Sequence, residues 1–263
     1  MTLLQGSPWW LLIFVWFAFF AALSLLSRYA VRKISSDERK TELADYAGKT
    51  LSPIGATFAF LIGFAATMTW SAINAGQEAV DSESTSAQQL VWATKSISDR
   101  AGAVEVVGNL DRYLTIAVNE DSAFLARGET TALPSAQAFD TLQHSVHNVA
   151  YNRTTTGPEA SAMTSAAAAL TAAQAKVSAV AQRSLPPLMI GLLIAAGALL
   201  AVAMGASAAA VVRPYLMYGW AFVSAIAMSV IFTLDVPFHG AINVNLAPLA
   251  QLADTLVAEP LPK

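Results

Sequence analysis

Asp140, His144 and His147 fall four and three residues apart, so on a helix they share one face. Carboxylate and imidazole are zinc ligands, which makes these three the weak metal candidates of the chain. A solvated polar helix face explains the same residues more simply, and no metal is assigned. Glu78, Asp81 and Glu83 form an acidic group that could draw cations or hydrate a pore mouth. A boundary between membrane and water is the preferred explanation. His239 lies beside Pro237 and Gly240, where an imidazole with its ordinary pKa would titrate close to neutral pH; a tight turn at the end of a helix is the preferred explanation. The sequence contains no H-E-x-x-H, no Gly-rich phosphate loop and no G-x-S-x-G. With no cysteine either, thiolate chemistry and disulfides are excluded. These residues point away from an enzyme and imply no cofactor.

A different pattern is the stretch AFLIGF at 59–64, where Phe60 and Phe64 lie one helical turn apart beside Gly63. Two such rings project from one face. Against lipid they are apolar filler, whereas inside a helical assembly they form a constriction.

The elements that carry these residues are membrane helices. The chain is 55% hydrophobic and only 13% charged, with a mean hydropathy of +0.50; soluble domains carry about 25% charge. The net charge of −3 leaves no basic footprint for nucleic acid. A bilayer core requires roughly 20 apolar helical residues, and four stretches supply them: Trp9 to Leu26, Leu51 to Ile73, Pro187 to about Ala209, and Tyr215 to Leu234. Arg28, Arg32, Lys33, Arg39, Lys40 and Lys49 crowd the loop after the first span, and Arg213 sits between the third and fourth. Residues 74–94 have no Lys or Arg. The positive-inside rule then puts both basic connections in the cytoplasm. Both termini and residues 74–186 are expected outside it.

The organisation expected is an all-α membrane protein. Residues 1–50 hold the first span and a basic loop, 51–73 the second span, 74–186 an extracytoplasmic stalk, and 187–234 the third and fourth spans. Residues 235–263 hold a Pro/Gly turn and an amphipathic end. In the stalk, Leu90, Thr94, Ile97, Ala101, Val104, Gly108, Asp111, Leu114 and Val118 give a seam near period 3.5. A second runs Met163, Ala167, Leu170, Gln174, Val177, Ala181, after an N-cap at Thr156. A shorter helix over 134–148 places Phe139, Leu142, Val146 and Val149 together. The second and third spans thus extend outward as a coiled-coil-like stalk that leans on partner subunits. Leu246, Leu249, Leu252 and Leu256 form an apolar stripe fit for a membrane surface or a neighbouring helix.

Two stretches resemble the bacterial bestrophin-like domain family of four-span membrane proteins. One is SPIGATFAFLIGFAATMTWSAINAGQEA at 52–79; the other, LDVPFHGAINVNLAPL, is similar to the family's Leu-Asp-x-Pro-Phe-x-Gly signature at Leu234, Asp235, Pro237, Phe238 and Gly240. Val236 stands where a basic residue is common, and Asn119-Glu120 where an acidic-Trp pair is common. Bestrophins are pentameric anion channels with an apolar neck on the second helix. The resemblance implies that Phe60 and Phe64 are neck residues, Gly63 a close-packing position and Ala56 a small third neck residue. Lys49 would then sit at one pore mouth, and Ser71, Asn74 and Glu78 at the other. No calcium-clasp acidic cluster is found. Bestrophins keep the segment after the second helix in the cytosol; the Lys/Arg distribution here places it outside, and the charge distribution is followed.

The leading expectation is therefore a homo-oligomeric, five-subunit channel in a bacterial plasma membrane, passing small anions such as chloride. The alternative is a non-enzymatic scaffold that presents its stalk to envelope partners. Small residues such as Ala59, Gly63 and Ala66 support close helix contacts by themselves, which suits the scaffold as well.

Overall fold

The computed structural model describes residues 9–34, 36–238 and 243–258, and among them every regular element is helical. The chain divides into two compact units, one of Met1–Trp70 and Ser184–Asp235, the other of Ser71–Arg183 and Val236–Lys263.

The first unit holds α1 (Trp9–Ile34), the first part of α2 (Asp37–Lys95), α7 (Pro187–Ser207) and α8 (Tyr215–Leu234). All four helices are long and apolar enough to cross a membrane. The third and fourth stretches expected from sequence coincide with α7 and α8. Pro186-Pro187 fixes the start of α7, since proline lacks only an N–H that the first turn leaves unpaired. Apolar helices in lipid gain little from burying one another, so close approach and interhelical hydrogen bonds must hold them. Gly205 of α7 lies so near α1 that a Cβ there would stand 2.0 Å from the carbonyl oxygen of Ser24. The Ser24 hydroxyl donates to the Ala201 carbonyl at 2.9 Å, and that of Ser27 to Val202 at 2.7 Å. At Gly197, a Cβ would meet the rings of Phe20 and Phe58.

The basic residues after the first span are not in a loop, as expected, but on helices: α1 continues to Ile34 and α2 begins at Asp37. Helix continues because Arg28 and Arg32 find work along it. Arg28 donates to the carbonyls of Ala208 (3.2 Å) and Val211 (2.7 Å), and Arg32 to those of Ala209 and Val211 (both 2.9 Å). These carbonyls belong to the short 3-10 turn and the residues that follow α7, a helix end where cationic side chains are favoured.

The second unit comprises the rest of α2, α3 (Arg100–Asn119), α4 (Asp121–Leu125), α5 (Ala136–Ala150), α6 (Gly157–Ala181) and α9 (Ala247–Ala258). Its core gathers Val80, Leu90, Leu110, Leu142, Met163 and Leu249. The seam read from Leu90 through Val118 does not run on one helix. Residues 96–99 interrupt it, and Asp99 caps α3 by accepting from the Gly102 N–H at 3.0 Å. The break resets the helical phase, so Ala101, Val104 and Gly108 face outward while Gly102, Val106, Leu110 and Tyr113 are buried. The α6 seam is kept in part: Met163, Leu170, Val177 and Ala181 are buried after the N-cap at Thr156, but Ala166 and Ala173 are buried in place of the expected Ala167 and Gln174, which are only half-buried. α5 buries Phe139, Leu142, Val146 and Val149. Gly128, with φ +69°, makes the turn before α5 that a side chain would strain. The leucine stripe near the C-terminus forms α9, with Leu249, Leu252 and Leu256 buried in this core.

Candidate functional site

α2 is the least covered of the four membrane-length helices. In its most apolar window only 11% of residues are buried within the chain, against 22%, 33% and 39% for α1, α7 and α8. Its inward face carries Phe58, Ala65 and Thr69, and Phe58 meets Phe20 edge-on at 6.4 Å. Its outward face carries Ala56, Phe60, Gly63 and Phe64. Phe60 is 70% and Phe64 51% exposed, and their rings lie nearly parallel, 6.4 Å between centroids. A Cβ on Gly63 would touch nothing within 4 Å, so within one chain this glycine packs against no neighbour. Thr67 turns its hydroxyl back onto the Gly63 carbonyl at 2.9 Å, which leaves the face apolar. Lys49 is exposed nearer the start of the same helix.

In the second unit, Ser71, Asn74 and Glu78 are exposed on α2. The acidic group expected there as one set is divided. Glu78 and Asp81 face outward, whereas Glu83 is buried. Helical phase is the reason: Glu83 lies three residues after Val80 and four before Ala87, on the face that packs into the core. That spacing is the signal that identifies it in the sequence, a carboxylate on an apolar stripe. The Tyr113 phenol of α3 donates to Glu83 Oε1, and Tyr113 also packs on Phe139 at 4.9 Å. Burial pushes the Glu83 carboxyl up from 4.5 to about 7, the Tyr113 hydrogen bond pulls it down, and the nearby Asp121 carboxylate adds to the rise. Burial likewise raises Tyr113, which stays protonated as a donor. Asp121 of α4 accepts from the Ser135 N–H at 3.0 Å and from the Ser135 hydroxyl. Sequence reasoning missed Tyr113 and Asp121, because only the break at 96–99 brings α3 and α4 back beside α2.

The C-terminal motif does structural work. Asp235 ends α8 and accepts from the Leu185 N–H at 2.6 Å. The Pro237 carbonyl accepts from the Val244 N–H at 2.8 Å, and Phe238 is buried. His239 and Gly240 lie outside the described residues. Asp140, His144 and His147 all lie on the exposed face of α5, with the His147 ring 4.6 Å from that of Tyr151. Among the described residues no three His, Cys, Asp or Glu side chains gather closely enough to hold a metal ion.

The bestrophin-like domain model matches residues 18–249, spanning α2, α7, α8, most of α1 and the Asp235–Phe238 motif. The chain belongs to the bestrophin-like domain family. Solved structures share this fold. Two are single-residue variants of a bacterial bestrophin homologue from Klebsiella pneumoniae. One has a TM-score of 0.69 at 12% identity, covering 94% of this chain and 98% of that one. The other has a TM-score of 0.68 at 13% identity, covering 92% and 97%. A variant of a membrane protein aligns with a TM-score of 0.71 at 12% identity, covering 94% and 97%. No curated protein matches the sequence. The bestrophin-like match thus takes in both units, α2 with its outward phenylalanines included.

Proposed function

We propose that this bestrophin-like protein is a homo-oligomeric, pentameric channel for small anions such as chloride, with α2 lining the conduction path. The observation that carries it is the stacked, exposed Phe60–Phe64 pair on the membrane helix its own chain covers least. An apolar face of this kind needs either lipid or other copies of itself around it. Arranged about an axis, Ala56, Phe60, Gly63 and Phe64 make a narrow dry neck that gates by dewetting. Phenyl edges carry partial positive charge and tolerate a passing halide. Lys49 would sit at one mouth, with Ser71, Asn74 and Glu78 at the other. Gly63 exposes backbone at the level where neighbouring α2 helices approach.

The protein resides in a bacterial plasma membrane with its basic helix ends inside. Its termini and residues 74–186 lie outside, as a helical stalk supported by neighbouring subunits. The meeting of Arg28 and Arg32 with the end of α7 supports this, since it gathers the basic connections at one end of the first unit.

Chloride flux into liposomes tests the proposal, with wild type compared against Phe60→Ala/Phe64→Ala. A neck predicts a several-fold rise in flux on removal of both rings. No flux from either protein, despite well-formed oligomers, would instead favour a scaffold whose α2 face binds lipid or a neighbouring span.

A further inference from the structure

Glu83 is 3% exposed and projects from α2 into the core of the second unit, among Val80, Ala87 and Leu90. From α3 the phenol of Tyr113, itself 1% exposed, donates to its carboxylate. From α4 comes a second carboxylate, Asp121, already held by Ser135. From α9 comes only the Pro248 carbonyl, which accepts from the neighbouring Ser84 at 3.2 Å, while Asp254 of that helix is exposed. Among the described residues, then, the groups that act on Glu83 are a phenol and another acid, with no cation to balance the charge. An uncompensated buried carboxylate favours its neutral form.

We propose that Glu83 and Tyr113 form a buried proton-binding site that couples ambient pH to the packing of α2 against α3 and α4. The neutral carboxyl is accommodated by the core and keeps the phenol as its partner. Ionisation places a charge beside Asp121 with no counterion, and the junction loosens. The direction follows from the carboxyl being raised from 4.5 to about 7 in the folded chain. The stabilising contribution is complete below 4.5 and is lost as pH rises through about 7. Nothing in this depends on α2 conducting ions.

The test is thermal unfolding of the purified full chain in detergent, from about pH 5 to about pH 9. The wild-type midpoint should fall by several degrees with an inflection close to neutral, and Glu83→Gln, which keeps an acceptor for Tyr113, should lose that inflection. Tyr113→Phe should shift it to higher pH, because the phenol favours the carboxylate. A wild-type profile without the inflection, or one that Glu83→Gln leaves unchanged, overturns the site. If Glu83→Gln does not fold, infrared difference spectra of the wild type decide. A neutral-carboxyl C=O band that disappears near neutral pH and shifts in Tyr113→Phe supports the site, and its absence overturns it.

Discussion

Gly205 is the residue whose replacement has the plainest consequence. Its missing side chain is what lets α7 touch the backbone of α1 at Ser24. Gly205→Ala would force the two helices apart and break the Ser24 and Ser27 hydrogen bonds with them. Overpacking of this kind costs about 1–3 kcal/mol, and a clash with backbone belongs at the upper end. Thermal unfolding in detergent should show a clear loss, while Gly219→Ala, with nothing within 4 Å, stays close to wild type. Neither this contact nor the partners of Glu83 could be read from sequence. Both depend on which distant helix arrives opposite, and local spacing carries no such information. What the sequence does show at this scale is direction: Phe58 and Phe60, two apart, must face different ways, and they do.

At the scale of elements, legibility followed the strength of local signals. Pro187 marks the start of α7, Thr156 and Pro158 that of α6, and unbroken hydropathy gives α8 its whole length. The division between α2 and α3 escaped because Ser96-Ile97-Ser98-Asp99 contains neither Gly nor Pro. The cap is an aspartate, which mid-helix looks like any other polar residue. Asp99 also accepts from the Asn152 amide at 2.7 Å, and Ser98 donates through its hydroxyl to Glu159 at 3.1 Å, so the break is tied to the turn before α6. Asp99→Ala should therefore cost at least the ~1 kcal/mol of a lost N-cap. Hydrogen exchange should show it as faster exchange in the first turn of α3, with α7 and α8 unaffected.

For the whole molecule, the absence of cysteine makes orientation directly measurable. Asn74→Cys in intact cells should react with a membrane-impermeant maleimide, and Arg39→Cys should react only after lysis; the reverse pattern would place residues 74–186 in the cytoplasm. The bonds from Arg28 and Arg32 also bear on how the chain is made. Their carbonyl partners lie 177 to 184 residues further along. At synthesis rates of about 5–20 residues per second, α1 waits roughly 9–35 s on the ribosome before α7 exists. During that interval its serines and arginines lack the carbonyls they will finally hold. The insertion machinery must shelter a half-finished span until the chain just beyond α7 arrives to supply them.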